Sequence, residues 1–186
     1  NVTMLDTVTG DGAGTLTATA TNNLTIDKLT SNFASTTLTG TAVARIFDVN
    51  GIGDISITGA TITLDGSDYT STAGGVDFVG AVGLEEASVS ITSGGGNNIT
   101  FSSSINGVDL TLDSGAAGTI AVLGITTVDN LVITNSGGAI FTGAVAATTD
   151  ITLTDTTDGT TVSFLDAVTA NDLVTTGNGY FVSMTG

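Results

Sequence analysis

Carboxylates are the one reactive group this chain holds in number: 18 aspartates and glutamates stand against two cations, with no histidine and no cysteine. Without imidazole or thiol, neither a Ser-His-Asp nor a Cys-His nucleophile can be assembled, nor a zinc site built on those ligands. Two carboxylates flanking a glycosidic bond would still make a catalyst, and Glu85-Glu86 is the glutamate pair available. Adjacent residues in a strand or turn point apart. The pair is therefore read as surface, and the chain as no enzyme.

Hard cations need six to eight oxygens, and Asp155 and Asp158, next to Gly159 in one turn, are the metal candidates, with Asp11 in the turn Gly10-Asp11-Gly12-Ala13-Gly14 a second place to look. The ion would be structural calcium; no other cofactor is expected. Gly94-Gly95-Gly96-Asn97-Asn98 lacks the aspartate of the calcium-binding Gly-Gly-x-Gly-x-Asp repeat. The glycine turn at 10–14 is no phosphate loop, because no helix follows it. Asp65, Asp68 and Tyr69 form a polar cluster that is the candidate ligand loop.

The charge balance limits partners. Lys28 and Arg45 are the only cations and the net charge is −16, so a nucleic acid, whose phosphates are held by clustered Lys and Arg, is excluded as a partner. Anionic membrane surfaces are disfavoured for the same reason. No apolar run approaches the ~18 residues of a membrane span. Insertion into a bilayer is therefore not expected, although 40% of the residues are hydrophobic.

Those residues are spaced in a pattern. Val162-Ser163-Phe164-Leu165-Asp166-Ala167-Val168, followed by Asn171-Asp172-Leu173-Val174-Thr175, repeats Ala139-Ile140-Phe141-Thr142-Gly143-Ala144-Val145 with Asp150-Ile151-Thr152-Leu153, and so on upstream. Anchors fall at 4, 26, 46, 78, 101, 122, 141, 164 and 184, in steps of about 19 to 23 residues with one longer step. Such a period marks a solenoid. Alternating Val, Ile, Leu and Phe give the period of two that strands require.

The expected fold is all-β, a parallel β-helix of about eight coils of 19–23 residues, with 1–186 a single array and 59–75 an insertion loop or hairpin that absorbs the longer step. Phe78, Phe101, Val122, Phe141 and Phe164 are expected to stack inside. A second column reads Leu16, Leu38, Ile55, Val89, Leu110, Leu131, Ile151, Leu173, and a third reads Ala18, Ile57, Ile91, Leu112, Ile133, Leu153. Asp109, Asn130, Asp150 and Asp172 recur before the second run and should line one corner. Three Asn-x-Thr sequons, at Asn1, Asn23 and Asn98, are read as one repeat position rather than as glycan acceptors. Opening at Asn1-Val2-Thr3-Met4 and closing at Met184-Thr185-Gly186, both in mid-pattern, suggest a piece of a longer array or a subunit that stacks on neighbours.

In Asp109-Leu110-Thr111-Leu112, Gly137 to Val145 and their copies, the sequence resembles the β-strand repeats of giant bacterial surface proteins of the filamentous-haemagglutinin and autotransporter-adhesin type. The resemblance implies a right-handed helix, secreted or attached to a bacterial surface, and a rod, stalk, fibre or adhesin that meets further repeats end to end or a glycan on a target surface. A different reading starts from Thr15-Leu16-Thr17-Ala18-Thr19, Thr61-Ile62-Thr63 and Thr152-Leu153-Thr154, and makes the chain a binding solenoid whose threonine-rich face recognises ice or glycan.

Overall fold

A short run with alternating polarity can bury only one of its faces, and neighbouring copies of the same run stacked in parallel close that face into a continuous interior. The chain follows this route. A computed structural model describes residues 1–10, 12–30, 33–177 and 179–186, with backbone alone at 5–8, 28 and 30. Among them are 22 strands and no helix, and every strand pairing is parallel and one turn apart in sequence. The result is a β-solenoid of about 8 turns.

Each turn contributes to three walls. The first holds Thr15–Ala20, then 35–40, 54–59 and 76–79, then Ile99–Phe101, Ile120–Val122, Ala139–Phe141, Thr161–Phe164 and Phe181–Met184. The second runs from 2–4 through 23–26, 43–46, 61–64 and 81–84 to Ile105–Asn106, Thr126–Val128, Val145–Ala147 and Val168–Thr169. The third passes through Val49–Gly51, Asp68–Ser71, Ser88–Ser93, Asp109–Gly115, Leu131–Ser136, Asp150–Leu153 and Asp172–Thr175. Three strands, Ser35–Ile46, Asp54–Leu64 and Val76–Leu84, bend from the first wall into the second. The bend is tight. At Gly80, where φ is +140°, a Cβ would lie 1.7 Å from the Gly59 carbonyl oxygen, so only glycine passes.

The interior is a set of columns. Ala18, Leu38, Ile57, Phe78, Phe101, Val122, Phe141, Phe164 and Met184 are successive partners on the first wall, 19 to 23 residues apart. Phe78 stacks on Phe101 with ring centroids 4.8 Å apart and an interplanar angle of 13°, and Phe141 on Phe164 at 5.2 Å and 16°. Val122 separates the two pairs. Each offset pair contributes about 0.5–1.5 kcal/mol beyond simple burial.

The register from Phe78 onward follows the sequence reading, and the earlier coils depart from it. Met4, Ile26 and Ile46 do not share the phenylalanine column; they lie on the second wall and continue to Leu64 and Leu84. The long step from 46 to 78 is a change of wall. Residues 59–75 are accordingly no insertion: 61–64 sit between 43–46 and 81–84, and Asp68–Ser71 between Val49–Gly51 and the third-wall strand Ser88–Ser93. Leu16, Ala18, Leu38, Ile55 and Ile57 all belong to the first wall, while Val89, Leu110, Leu131, Ile151 and Leu173 do form one column of the third. Ile91, Leu112, Ile133 and Leu153 form the next, beneath Tyr69. Leu110, Leu131 and Ile151 are fully buried as expected, whereas Leu173, on the last described strand of the third wall, keeps 37% of its surface.

Candidate functional site

The residues expected to form a ligand loop do not converge on solvent. Tyr69 occupies the inward position between Val49 and Ile91 and is fully buried. Its hydroxyl donates to the Ile46 carbonyl at 2.6 Å and accepts from the Gly66 N–H at 3.1 Å, and its ring meets Phe78 edge-on at 6.4 Å. Burial, more than the nearby Asp48 and Asp65 charges, raises the phenol well above its ordinary pKa. Asp65 is engaged by Arg45, whose Nε donates at 2.7 Å while the guanidinium lies over the Phe47 ring. Asp68 accepts from the Thr70 hydroxyl at 2.6 Å. The cluster is structural, and Tyr69 is a core residue.

Asp155 and Asp158 are exposed in the turn after Asp150–Leu153. Among the described residues no group of three or more Asp, Glu, His or Cys is placed to hold a metal ion. Asp11 lies outside the described residues, as does the side chain of Lys28. Glu85 and Glu86 are exposed between the second and third walls. Tyr180 donates to the Leu153 and Thr176 carbonyls, both at 3.1 Å. Partial burial, with Asp155 adding to it, pushes its phenol up.

Two polar columns line the corners. Asn130 donates to Asp109 at 2.7 Å and accepts from the Asp150 N–H at 3.3 Å, and Asp150 pairs in register with Asp172. This is the aspartate–asparagine corner anticipated from the sequence. The other column was not anticipated. Ser71, Ser93, Ser114, Ser136 and Thr156 are buried one per turn, where the third wall gives way to the first. Ser71 donates to the Gly53 carbonyl at 2.8 Å, Ser93 to Asn97 at 2.6 Å and Ser114 to Gly118 at 2.9 Å, while Ser136 and Thr156 meet each other at 3.3 Å. The signal was available in the sequence: a hydroxyl residue recurs at this spacing, followed within three residues by glycine.

The sequons divide. Asn1 and Asn23 share a column, with the Asn1 side chain accepting from the Asn23 N–H at 3.2 Å. Asn98 opens a first-wall strand and accepts from the Thr119 N–H and hydroxyl, both at 2.9 Å. The three Thr-x-Thr tracts also divide, one to each wall. A hydroxyl array nevertheless exists at one end of the first wall. Thr15, Thr17 and Thr19 are exposed and lie in register with Ser35, Thr37 and Thr39, then with Asp54, Ser56 and Thr58.

Further along the same outer surface lie two depressions. The outward column running Asp54, Gly75, Asn98 and Thr119 loses its side chain at Gly75, and the gap opens a groove of about 360 Å³ bordered by Asp54, Ser56, Asp77, Asn98 and Thr100. Gly138 repeats the gap between Thr119 and Thr161, giving a groove of about 320 Å³ where Ile140 stands in the place of Asp77. At the Gly75 groove, Asp54 accepts from the Gly75 N–H at 2.8 Å. Asp77 has no hydrogen-bond or ion-pair partner among the described residues, and partial burial raises its carboxyl pKa.

Fold and surface together define a parallel β-solenoid with an acidic exterior. No protein-family model matches the chain, and no curated protein or solved structure is significantly similar to it.

Proposed function

We propose that this chain is a non-enzymatic spacer, part of a rod, stalk or fibre exposed on or secreted from a bacterial cell, which meets further repeats or copies of itself end to end and presents its walls to a glycan or another cell surface. One observation carries the reading: inward columns continue from rung to rung with no break, which makes length the property such a molecule supplies. At ~4.8 Å per rung, eight turns extend about 40 Å. The acidic surface, with a net charge of −16, favours a dispersed, hydrated rod. Displaying the protein between a cell-surface anchor and an epitope tag tests it. A spacer function gives a tag held about 40 Å farther out per copy inserted, read by fluorescence quenching from the surface; a tag that stays at the same height overturns it.

The outward hydroxyls of the first three first-wall rungs, exposed in the first and half-buried in the next two, favour a second reading, a lattice-recognising face for ordered water or glycan. Their grid, ~4.8 Å between rungs and ~6.7 Å between alternate residues, is regular enough to meet a repeating surface. Growing ice in the protein's presence checks the ordered-water form of it: faceted crystals support that form, and rounded crystals like those in buffer refute it.

A further inference from the structure

The groove at Gly75 has the makings of a binding site that the hydroxyl grid lacks. Its shape comes from a missing side chain on an otherwise continuous outer column, with Asp54 one rung before and Asn98 one rung after. Its size, about 360 Å³, falls in the range of small-molecule pockets. Its hydrogen-bonding capacity is mixed and only partly spent, with Asp54 already accepting from the Gly75 N–H. The Asp77 carboxylate offers acceptors, the Asn98 Oδ1 is occupied by Thr119 so that its amide NH₂ is left to donate, and the Ser56 and Thr100 hydroxyls can do either. A partly desolvated carboxylate with no partner gains from any donor brought to it, since charge-assisted hydrogen bonds are the strong ones.

We propose that the Gly75 groove binds a single sugar unit, with two of its hydroxyls donating to the Asp77 carboxylate and a third oxygen accepting from the Asn98 amide. Neutral sugars carry vicinal hydroxyls that both donate and accept, which is the complement of this set. A metal ion fits less well, because the described residues bring no third carboxylate to the pair Asp54 and Asp77. The proposal rests on the second reading for the ligand-facing role of the first wall, and the two can fail separately, because ice faceting depends on the hydroxyl grid and sugar binding on the groove.

The molecule carries its own control. The Gly138 groove has similar size and the same glycine gap, but Ile140 replaces the carboxylate. A ligand held by the chemistry of Asp77 should ignore it.

The experiment is a titration of the whole chain, labelled with nitrogen-15, against the methyl glycosides of glucose, galactose and mannose, followed by amide shifts. The expected result is saturable shifts at Gly75, Asp77 and Asn98 for at least one glycoside, with Gly138 and Ile140 unmoved. Asp77→Asn should weaken that binding at least tenfold, and so should Gly75→Ala. At Gly75 the backbone φ is not in the left-handed region and an added Cβ meets only the Asn98 carbonyl oxygen closely, at 3.0 Å, so both variants should keep the parent's dispersed spectrum. Three results overturn the proposal: no saturable shift with any glycoside, equal shifts at the two grooves, or a response to methylammonium or calcium but to no glycoside.

Discussion

A tyrosine in a polar stretch can belong to the interior, and Tyr69 shows how. Flanked by Asp65, Ser67 and Asp68, it reads as part of a surface cluster, yet parity along the strand places it above Ile91, and its hydroxyl is satisfied by the Ile46 carbonyl and the Gly66 amide. Tyr69→Phe leaves the buried Gly66 N–H without its partner, while the Ile46 carbonyl keeps the Asp65 N–H, and should cost about 1–3 kcal/mol in urea melts. Alkali offers a second check. The folded protein holds the phenolic proton more tightly than the unfolded chain does, so the contribution of Tyr69 is intact below pH ~10 and falls as pH rises beyond it. Tyrosinate absorbance should therefore show Tyr180 ionising in the native state and Tyr69 only as the protein unfolds. Thr126 is the converse case. Its buried hydroxyl has no partner, and it sits in register between Ile105 and Val145. Thr126→Val should raise stability, by about 1 kcal/mol, since a buried unmade hydrogen bond costs that much or more.

At the scale of the strand and its corner, hydroxyl and amide columns hold turns that apolar columns cannot. Ser114→Ala would remove one of the two donors to the Gly118 carbonyl, which keeps the Gly137 N–H, and a loss of about 0.5–1.5 kcal/mol is expected, measured by thermal melting. Periodicity made the later coils legible in the sequence because Phe78, Phe101, Phe141 and Phe164 flag one wall unambiguously. In the first three coils the same column is filled by Ala18, Leu38 and Ile57, which look like the residues of any other column. With three walls and one recurring length, Ile46 on the second wall and Phe78 on the first could be joined only by positing extra residues. The glycine gaps of the first wall escaped for a related reason. A groove made by an absent side chain has no residue to announce it, and only the register shows that Gly75 stands between Asp54 and Asn98.

Taken as a whole, the molecule sums rung-to-rung contacts, and its charge works against it. Asp150 lies one rung before Asp172 in a molecule whose net charge is −16. Raising the ionic strength from about 0.01 to 0.15 M shortens the screening length from ~30 to ~8 Å. The midpoint of thermal unfolding should rise over that range; a midpoint that is flat or falls would show that repulsion does not limit stability. Phe141→Ala removes a stacked ring from the middle of the array and should cost about 3–5 kcal/mol, with the loss spreading to the coils on either side because each rung is supported only by its neighbours.

Because every described strand pairs only with the rung before and the rung after, a pull applied at the two termini meets no strand pairing among the described residues that spans more than one rung. The chain should pay out like thread from a bobbin. A single-molecule stretching trace would then climb in a staircase, each step releasing one turn of about twenty residues, some 70 Å of extended chain at ~3.4 Å per residue, and a hesitation is expected wherever paired phenylalanine rings must part.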